Sequence, residues 1–202
     1  MKIGIDLDDV IADFFPGFLD FYNKKYKKNF SIKDMASYWI WKIGIGKNKQ
    51  EAIRLVDEFH DSSEFDSLPL VSGARESIFE LSQMPDSRLY IITSRPLEYR
   101  LKTNKFIDKH FQDISLTIYY SGDFHNGINQ SEYTKAKLCK RLQLDYFVED
   151  CLDYAEACAE KSSKVFLLDK PWNQGSNKKV ERVYNWQEIL EKIKGDKNAI
   201  CS

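Results

Sequence analysis

The stretch IGIDLDDVIADFF, residues 3–15, decides the fold. An apolar, β-rich run ends at Asp6, and three carboxylates, Asp6, Asp8 and Asp9, fall within four positions. At ~4 Å two like charges repel by roughly 1 kcal/mol in water and ~4 kcal/mol near a protein surface. Acids crowded at the end of a strand therefore call for a counter-charge. Working outward, further β-rich runs recur at Leu89–Thr93, Leu116–Tyr119, Tyr146–Glu149 and Lys164–Leu168. Helical patterns lie between or after them, at Gly73–Met84 behind Ser72 as N-cap, Leu97–Phe111, Ser131–Leu142, Leu152–Lys161 and Trp186–Lys194. Strands alternating with helices predict an α/β fold, a Rossmann-like parallel sheet flanked by helices.

One part breaks the alternation. No strand is convincing between Phe14 and Pro69, whereas Phe14, Phe18, Phe21 and Tyr22 repeat at helical spacing. Asn48 and Glu51 form a capping pair before Ile53, Val56 and Phe59. The expected organisation is a core from residues 1–13 and 70–195, a helical cap over 14–69 inserted after the first strand, and a frayed tail over 196–202.

Composition narrows the function. The formal net charge of −1 over 202 residues offers no standing attraction to polymeric nucleic acid. No run of about 18 apolar residues exists to span a membrane, and the N-terminal apolar run is too short for a signal peptide. Cys139, Cys151, Cys158 and Cys201 show neither CxxC spacing nor the density of a disulfide framework. Reduced thiols and a cytoplasmic location are expected. His60, His110 and His125 lack metal-ligand spacing and read as surface or helix-end residues.

Ligands of a parallel α/β sheet bind at the carboxyl ends of the strands. The first strand delivers Asp6, Asp8 and Asp9 there. IITSRP (91–96) delivers Thr93, Ser94 and Arg95, and YFVED (146–150) delivers Glu149 and Asp150. The segment SEYTKAKLCKRL (131–142) brings Lys135 and Lys137. Two residues apart on a helix, these lysines face different ways, and Lys135 is preferred as the inward one.

These pieces in this order resemble the haloacid dehalogenase superfamily, along nearly the whole chain. More narrowly, DLDDVIADF (6–14), the helical insertion, LPLVSGARESI (68–78) and IITSRP resemble the 5'(3')-deoxyribonucleotidase branch. That branch commonly carries Gly where this chain has Asp9. The resemblance implies a Mg2+-dependent phosphomonoesterase acting on a small molecule, with a nucleoside monophosphate as the expected substrate. Another metabolite such as a sugar phosphate is the alternative within that chemistry. It implies Asp6 as nucleophile, forming an aspartyl-phosphate, and Asp8 as general acid and base. Thr93 would bond the phosphoryl oxygens with the backbone N–H groups of Ser94 and Arg95, and Lys135 would screen charge. It assigns Mg2+ to Asp6, the Asp8 carbonyl and Asp150, with Glu149 and Asp153 as candidates for contacts through water. The Arg95 side chain is expected to touch phosphate or to cap its loop. Phe14 and Trp39 would contact the rest of the substrate from the cap. LLDKPWNQG (167–175) reads as a structural loop anchored by Trp172.

Two readings from other classes compete. A receiver module also sets acids, a Thr or Ser and a Lys on a parallel sheet, but its acceptor Asp ends a middle strand, where this chain has Thr93 and Ser94. A catalytically silent binding protein is opposed by the full set of catalytic residue types.

Overall fold

The computed structural model describes residues 1–122, 124, 133–160 and 164–200. Six strands form one wholly parallel sheet: β1 (Lys2–Ile5), β2 (Arg88–Thr93), β3 (Leu116–Tyr120), β4 (Tyr146–Glu149), β5 (Lys164–Leu168) and β6 (Val180–Val183), in the order β3-β2-β1-β4-β5-β6. Ile5 sits in register with Ile91 on one side and Val148 on the other. The chain leaves β1 toward β2 and β3, then returns to build β4, β5 and β6 on the opposite side. This reversal opens a crevice at the carboxyl end of β1, the usual ligand position in such sheets.

Side chains alternate between two buried clusters. Ile91, Val148, Phe166 and Leu168 enter one, and Ile92, Phe147, Val165 and Leu167 enter the other. Both faces are therefore covered, which is why the strands read as continuous apolar runs. Eight helices surround the sheet among the described residues: α1 (Phe14–Tyr26), α2 (Lys49–His60), α3 (Ser63–Asp66), α4 (Ala74–Ser82), α5 (Arg100–Phe111), α6 (Lys135–Leu142), α7 (Leu152–Ala159) and α8 (Trp186–Ile200). None is long and apolar enough to cross a membrane.

The first three helices and two short 3-10 turns, Ile32–Asp34 and Ile40–Ile43, lie between β1 and the return to the sheet. The two ends of this segment meet. Asp13 N–H donates to the Pro69 carbonyl at 3.0 Å and Val71 N–H to the Ile11 carbonyl at 2.8 Å. Phe14, Phe18, Phe59 and Phe65 pack on one another inside the segment.

Several local expectations shift. β6 was not foreseen, because Val180–Val183 encloses Glu181 and Arg182 at a half-exposed sheet edge and lacks an apolar pattern. The cap of α4 is Gly73, at φ 77°, rather than Ser72. Asn48 caps α2 as expected, accepting Glu51 N–H at 3.0 Å, but Glu51 returns its carboxylate to Lys47 N–H at 2.8 Å. The last helix passes the expected stop at Lys194 and runs to Ile200. Asp196 accepts from Lys164 and Tyr146 on the strands, and Lys197 reaches the Pro85 carbonyl, which holds that turn down despite Gly195. His125 and the start of the expected helix at Ser131 lie outside the described residues.

Candidate active site

Asp6 follows the last residue of β1, and its N–H donates to the Val148 carbonyl at 2.9 Å, so its place is set by the sheet itself. Lys135 opens α6, whose N-cap Thr134 accepts the Lys137 N–H. The buried Lys135 ammonium lies 2.9 Å from Asp6 Oδ1 and 2.9 Å from Glu149 Oε2, over the ring of Tyr154. Lys135 is thus the inward lysine of the pair. Glu149 ends β4; its other oxygen accepts the N–H groups of Asp150 and Cys151 at 3.2 and 3.1 Å. Glu149 is therefore fully engaged as the brace of Lys135.

Asp150 differs. Its Oδ2 accepts the indole N–H of Trp172 at 2.7 Å, and its carbonyl accepts from Asn173 at 2.6 Å. Its Oδ1 is buried with no hydrogen-bond partner among the described residues. Asp6, Glu149 and Asp150 each bring a carboxylate oxygen within 4.8 Å of the others. Three buried carboxylates face one ammonium, so two negative charges are left over. The protonation equilibria record the strain. Burial, then the charge of Glu149, pushes Asp6 well above the usual carboxylate range despite Lys135. Burial pushes Glu149 up to about 7, and burial with the charge of Asp6 pushes Asp150 up to about 7. Burial works to lower Lys135, but Asp6 and Glu149 hold it well above the ordinary lysine value. An all-oxygen donor set, with one buried oxygen unpaired and an excess of two negative charges, fits a hard dication.

Asp8 and Asp9 take separate tasks. Asp9 adopts φ 59°, the left-handed region that favours glycine. Its buried carboxylate accepts the Phe15 N–H at 3.0 and 3.2 Å. It thereby caps α1, whose formal N-cap, Asp13, makes no capping bond with its side chain. Burial and the charge of Asp150 raise its affinity for a proton. Asp8 points the other way, onto Arg95. Thr93 ends β2 fully buried, and its hydroxyl accepts the Arg95 N–H at 3.1 Å. That N–H was expected to serve the phosphoryl group, and in this arrangement it is spent on Thr93. Ser94 Oγ lies 3.1 Å from Ser121 Oγ.

Beside Asp8 opens a small cavity of about 40 Å³. Phe14, Phe15, Tyr38, His60, Ser94 and Arg95 are among its lining residues. Trp39 is not; its indole N–H donates to Asp153 at 2.7 Å, and it lines a second cleft with Trp172 and Asn173. His60, expected at the surface or at a helix end, closes α2 but is not at the surface. It is buried, stacked on Tyr99 at 4.6 Å between centroids. The signal was present: His60 follows Ala52 and Val56 at spacings of four along the buried face of α2. Trp172 also exceeds its expected part as a loop anchor, since it fixes the carboxylate of Asp150.

The sequence profile of "5' nucleotidase, deoxy (Pyrimidine), cytosolic type C protein" matches residues 1–198. The chain belongs to this family, a nucleotidase branch of the haloacid dehalogenase superfamily. A Bacillus cereus protein named "Putative nucleotidase" is 26% identical over 197 residues, which cover 96% of this chain and 98% of that one. The haloacid dehalogenase-like hydrolase from Streptococcus pneumoniae has the same fold, with a TM-score of 0.65 at 16% identity over 95% of this chain and 97% of that one. A Bacillus subtilis "putative HAD-hydrolase" whose structure was solved bound to magnesium gives 0.62 at 13% identity, over 95% and 97%. Like its family, the chain is a hydrolase acting on phosphate monoesters.

Proposed function

We propose that the protein is a Mg2+-dependent nucleotidase that releases phosphate from nucleoside monophosphates, deoxyribonucleotides among them, through an aspartyl-phosphate on Asp6. The observation that carries this reading is Lys135 held between Asp6 and Glu149 while Asp150 Oδ1 beside them has no hydrogen-bond partner among the described residues. In the first step an Asp6 oxygen forms a bond to phosphorus as the ester P–O bond breaks. Asp8 gives its proton to the leaving oxygen, which departs as an alcohol. Asp8 then takes a proton from water, whose oxygen attacks phosphorus and frees Asp6 and inorganic phosphate. Lys135 and the Thr93 hydroxyl steady the charge on the phosphoryl oxygens. Mg2+, held by Asp6, Asp150 and the Asp8 carbonyl, would neutralise phosphoryl charge and help to orient it. Glu149 serves by positioning Lys135.

Residues 14–69 act in this reading as a lid, hinged where Asp13 and Val71 cross. Phe14, Phe15 and Tyr38 contact the nucleoside half. Cys139, Cys151 and Cys158 are buried thiols rather than disulfides, in accord with action in a reducing cytoplasm. The test is phosphate release with Mg2+ across 5' and 3' ribo- and deoxyribonucleotides and sugar phosphates. Preference for nucleotides, abolished by EDTA, is expected. Preference for sugar phosphates would overturn the substrate assignment, and turnover in EDTA would overturn the metal requirement.

A further inference from the structure

We propose that Arg95 is a positioning residue for Asp8, fixing which carboxylate oxygen delivers the proton to the leaving group. The proposal rests on the reading of Asp8 as general acid and adds a residue to it.

The geometry is a fork. Arg95 Nη2 donates to Asp8 Oδ1 at 2.6 Å, and Nε donates to both Oδ1 and Oδ2, at 3.1 and 3.0 Å. Oδ1 therefore accepts from two N–H groups, and Oδ2 shares only the Nε proton. Oδ2 is the lightly engaged oxygen and keeps the capacity to carry and release a proton toward the cavity that Asp8 lines. The clamp is itself held from every side. The Arg95 side chain is 1% exposed against 23% for Asp8. Nη1 reaches Thr103 Oγ1 on α5 at 3.4 Å. The guanidinium lies 4.6 Å from the ring centroid of Phe65, in the segment over 14–69, and 5.8 Å from that of Phe106, on α5. A buried cation packed this way cannot swing out to follow a substrate. It can hold a partner in one rotamer, and a planar fork does so where a lysine's point charge does not.

Three consequences follow. Asp8 is presented at a fixed angle before substrate arrives, which saves the ordering that an exposed carboxylate would need. When Asp8 has passed its proton to the leaving oxygen, the carboxylate left behind is met at once by the guanidinium. And because Phe65 belongs to the inserted segment, the seating of that segment and the aim of Asp8 are mechanically joined.

The experiment uses leaving groups of different basicity. A nucleoside monophosphate expels an alkoxide that needs the proton; p-nitrophenyl phosphate expels a phenolate that does not. Arg95→Lys keeps the charge and loses the fork. It should lower kcat on a nucleoside monophosphate by about ten- to a hundredfold, part of the 10²–10⁴ typical of proton transfer. On p-nitrophenyl phosphate it should change kcat by less than about threefold by the same reasoning. Asp8→Asn should show the same contrast more strongly, and the double variant should be no worse than Asp8→Asn. Urea unfolding of each variant separates these losses from misfolding. If Asp8→Asn discriminates between the substrates and Arg95→Lys does not, or if their effects simply add, the clamp is wrong while the acid assignment stands. If Asp8→Asn itself shows no discrimination, the acid assignment falls and the proposal falls with it.

Discussion

Replacing Asp150 by Asn should stabilise the metal-free protein and cripple its response to Mg2+. Asn keeps an oxygen to accept the Trp172 indole N–H and removes the charge. Asp150 is pushed up to about 7 in the fold, against about 3.9 for a free aspartate. The folded state thus holds a proton that the unfolded chain releases as pH rises through about 4. An acid raised on folding contributes its full share below the unfolded value, and that share is lost as pH rises toward the folded value. At pH 7 the ionised Asp150 costs up to about 4 kcal/mol, at 1.36 kcal/mol per pKa unit. Because Asp6 and Glu149 compete for the same protons, about 1–3 kcal/mol is the gain to expect from Asn. At pH 4 it should shrink below about 1 kcal/mol. Mg2+ should reverse the order: at a hundred times its Kd it adds about 2.7 kcal/mol to the wild type, and far less to the variant. Urea unfolding in EDTA and in Mg2+, at pH 4, 5.5 and 7, measures all of this. A variant less stable than wild type at pH 7 in EDTA, or a difference that ignores pH, would refute the electrostatic account of the site.

Other expectations are checked by simpler assays. Lys135→Ala should lower kcat by at least about a hundredfold, in line with loss of one preorganised charge-stabilising group, while Lys137→Ala should stay near wild type in the same steady-state assay. Trp172→Phe removes the bond to Asp150 and should weaken Mg2+ binding by about tenfold, as read by isothermal titration, with catalysis recovering at high Mg2+. Phe14 packs against Phe18, Phe59 and Phe65 as well as lining the cavity, so truncation to Ala confounds the two. Phe14→Leu should cost about 1–3 kcal/mol of base stacking in kcat/KM for a nucleotide, and much less on acetyl phosphate.

The parallel sheet was legible because its strands are buried on both faces and therefore continuously apolar, and because helices separate them. Val180–Val183 escaped for the opposite reason: an edge strand carrying Glu181 and Arg182 has no apolar pattern to read. The gathering of Asp6, Lys135 and Asp150, with Thr93 at the end of β2, could be read from the sequence because each stands at a strand end or on the helix that leads to one. What the sequence hid were the partnerships. Nothing in the order of residues says that Asp8 will meet Arg95, 87 positions away, or that Trp172 will hold Asp150. Asp9 takes a left-handed backbone that favours glycine, and the structure gives the reason that Asp serves there: its carboxylate caps α1. Trp39 looked like a pocket aromatic by its type alone, but its indole is committed to Asp153.

The central claim is that Asp6 is the nucleophile, and acid quenching of the enzyme turning over a ³²P-labelled nucleoside monophosphate tests it most directly. The account predicts hydroxylamine-labile label on the peptide that contains Asp6, and neither label nor turnover with Asp6→Asn. Phosphate release with no protein-bound label, and with Asp6→Asn still active, would contradict it.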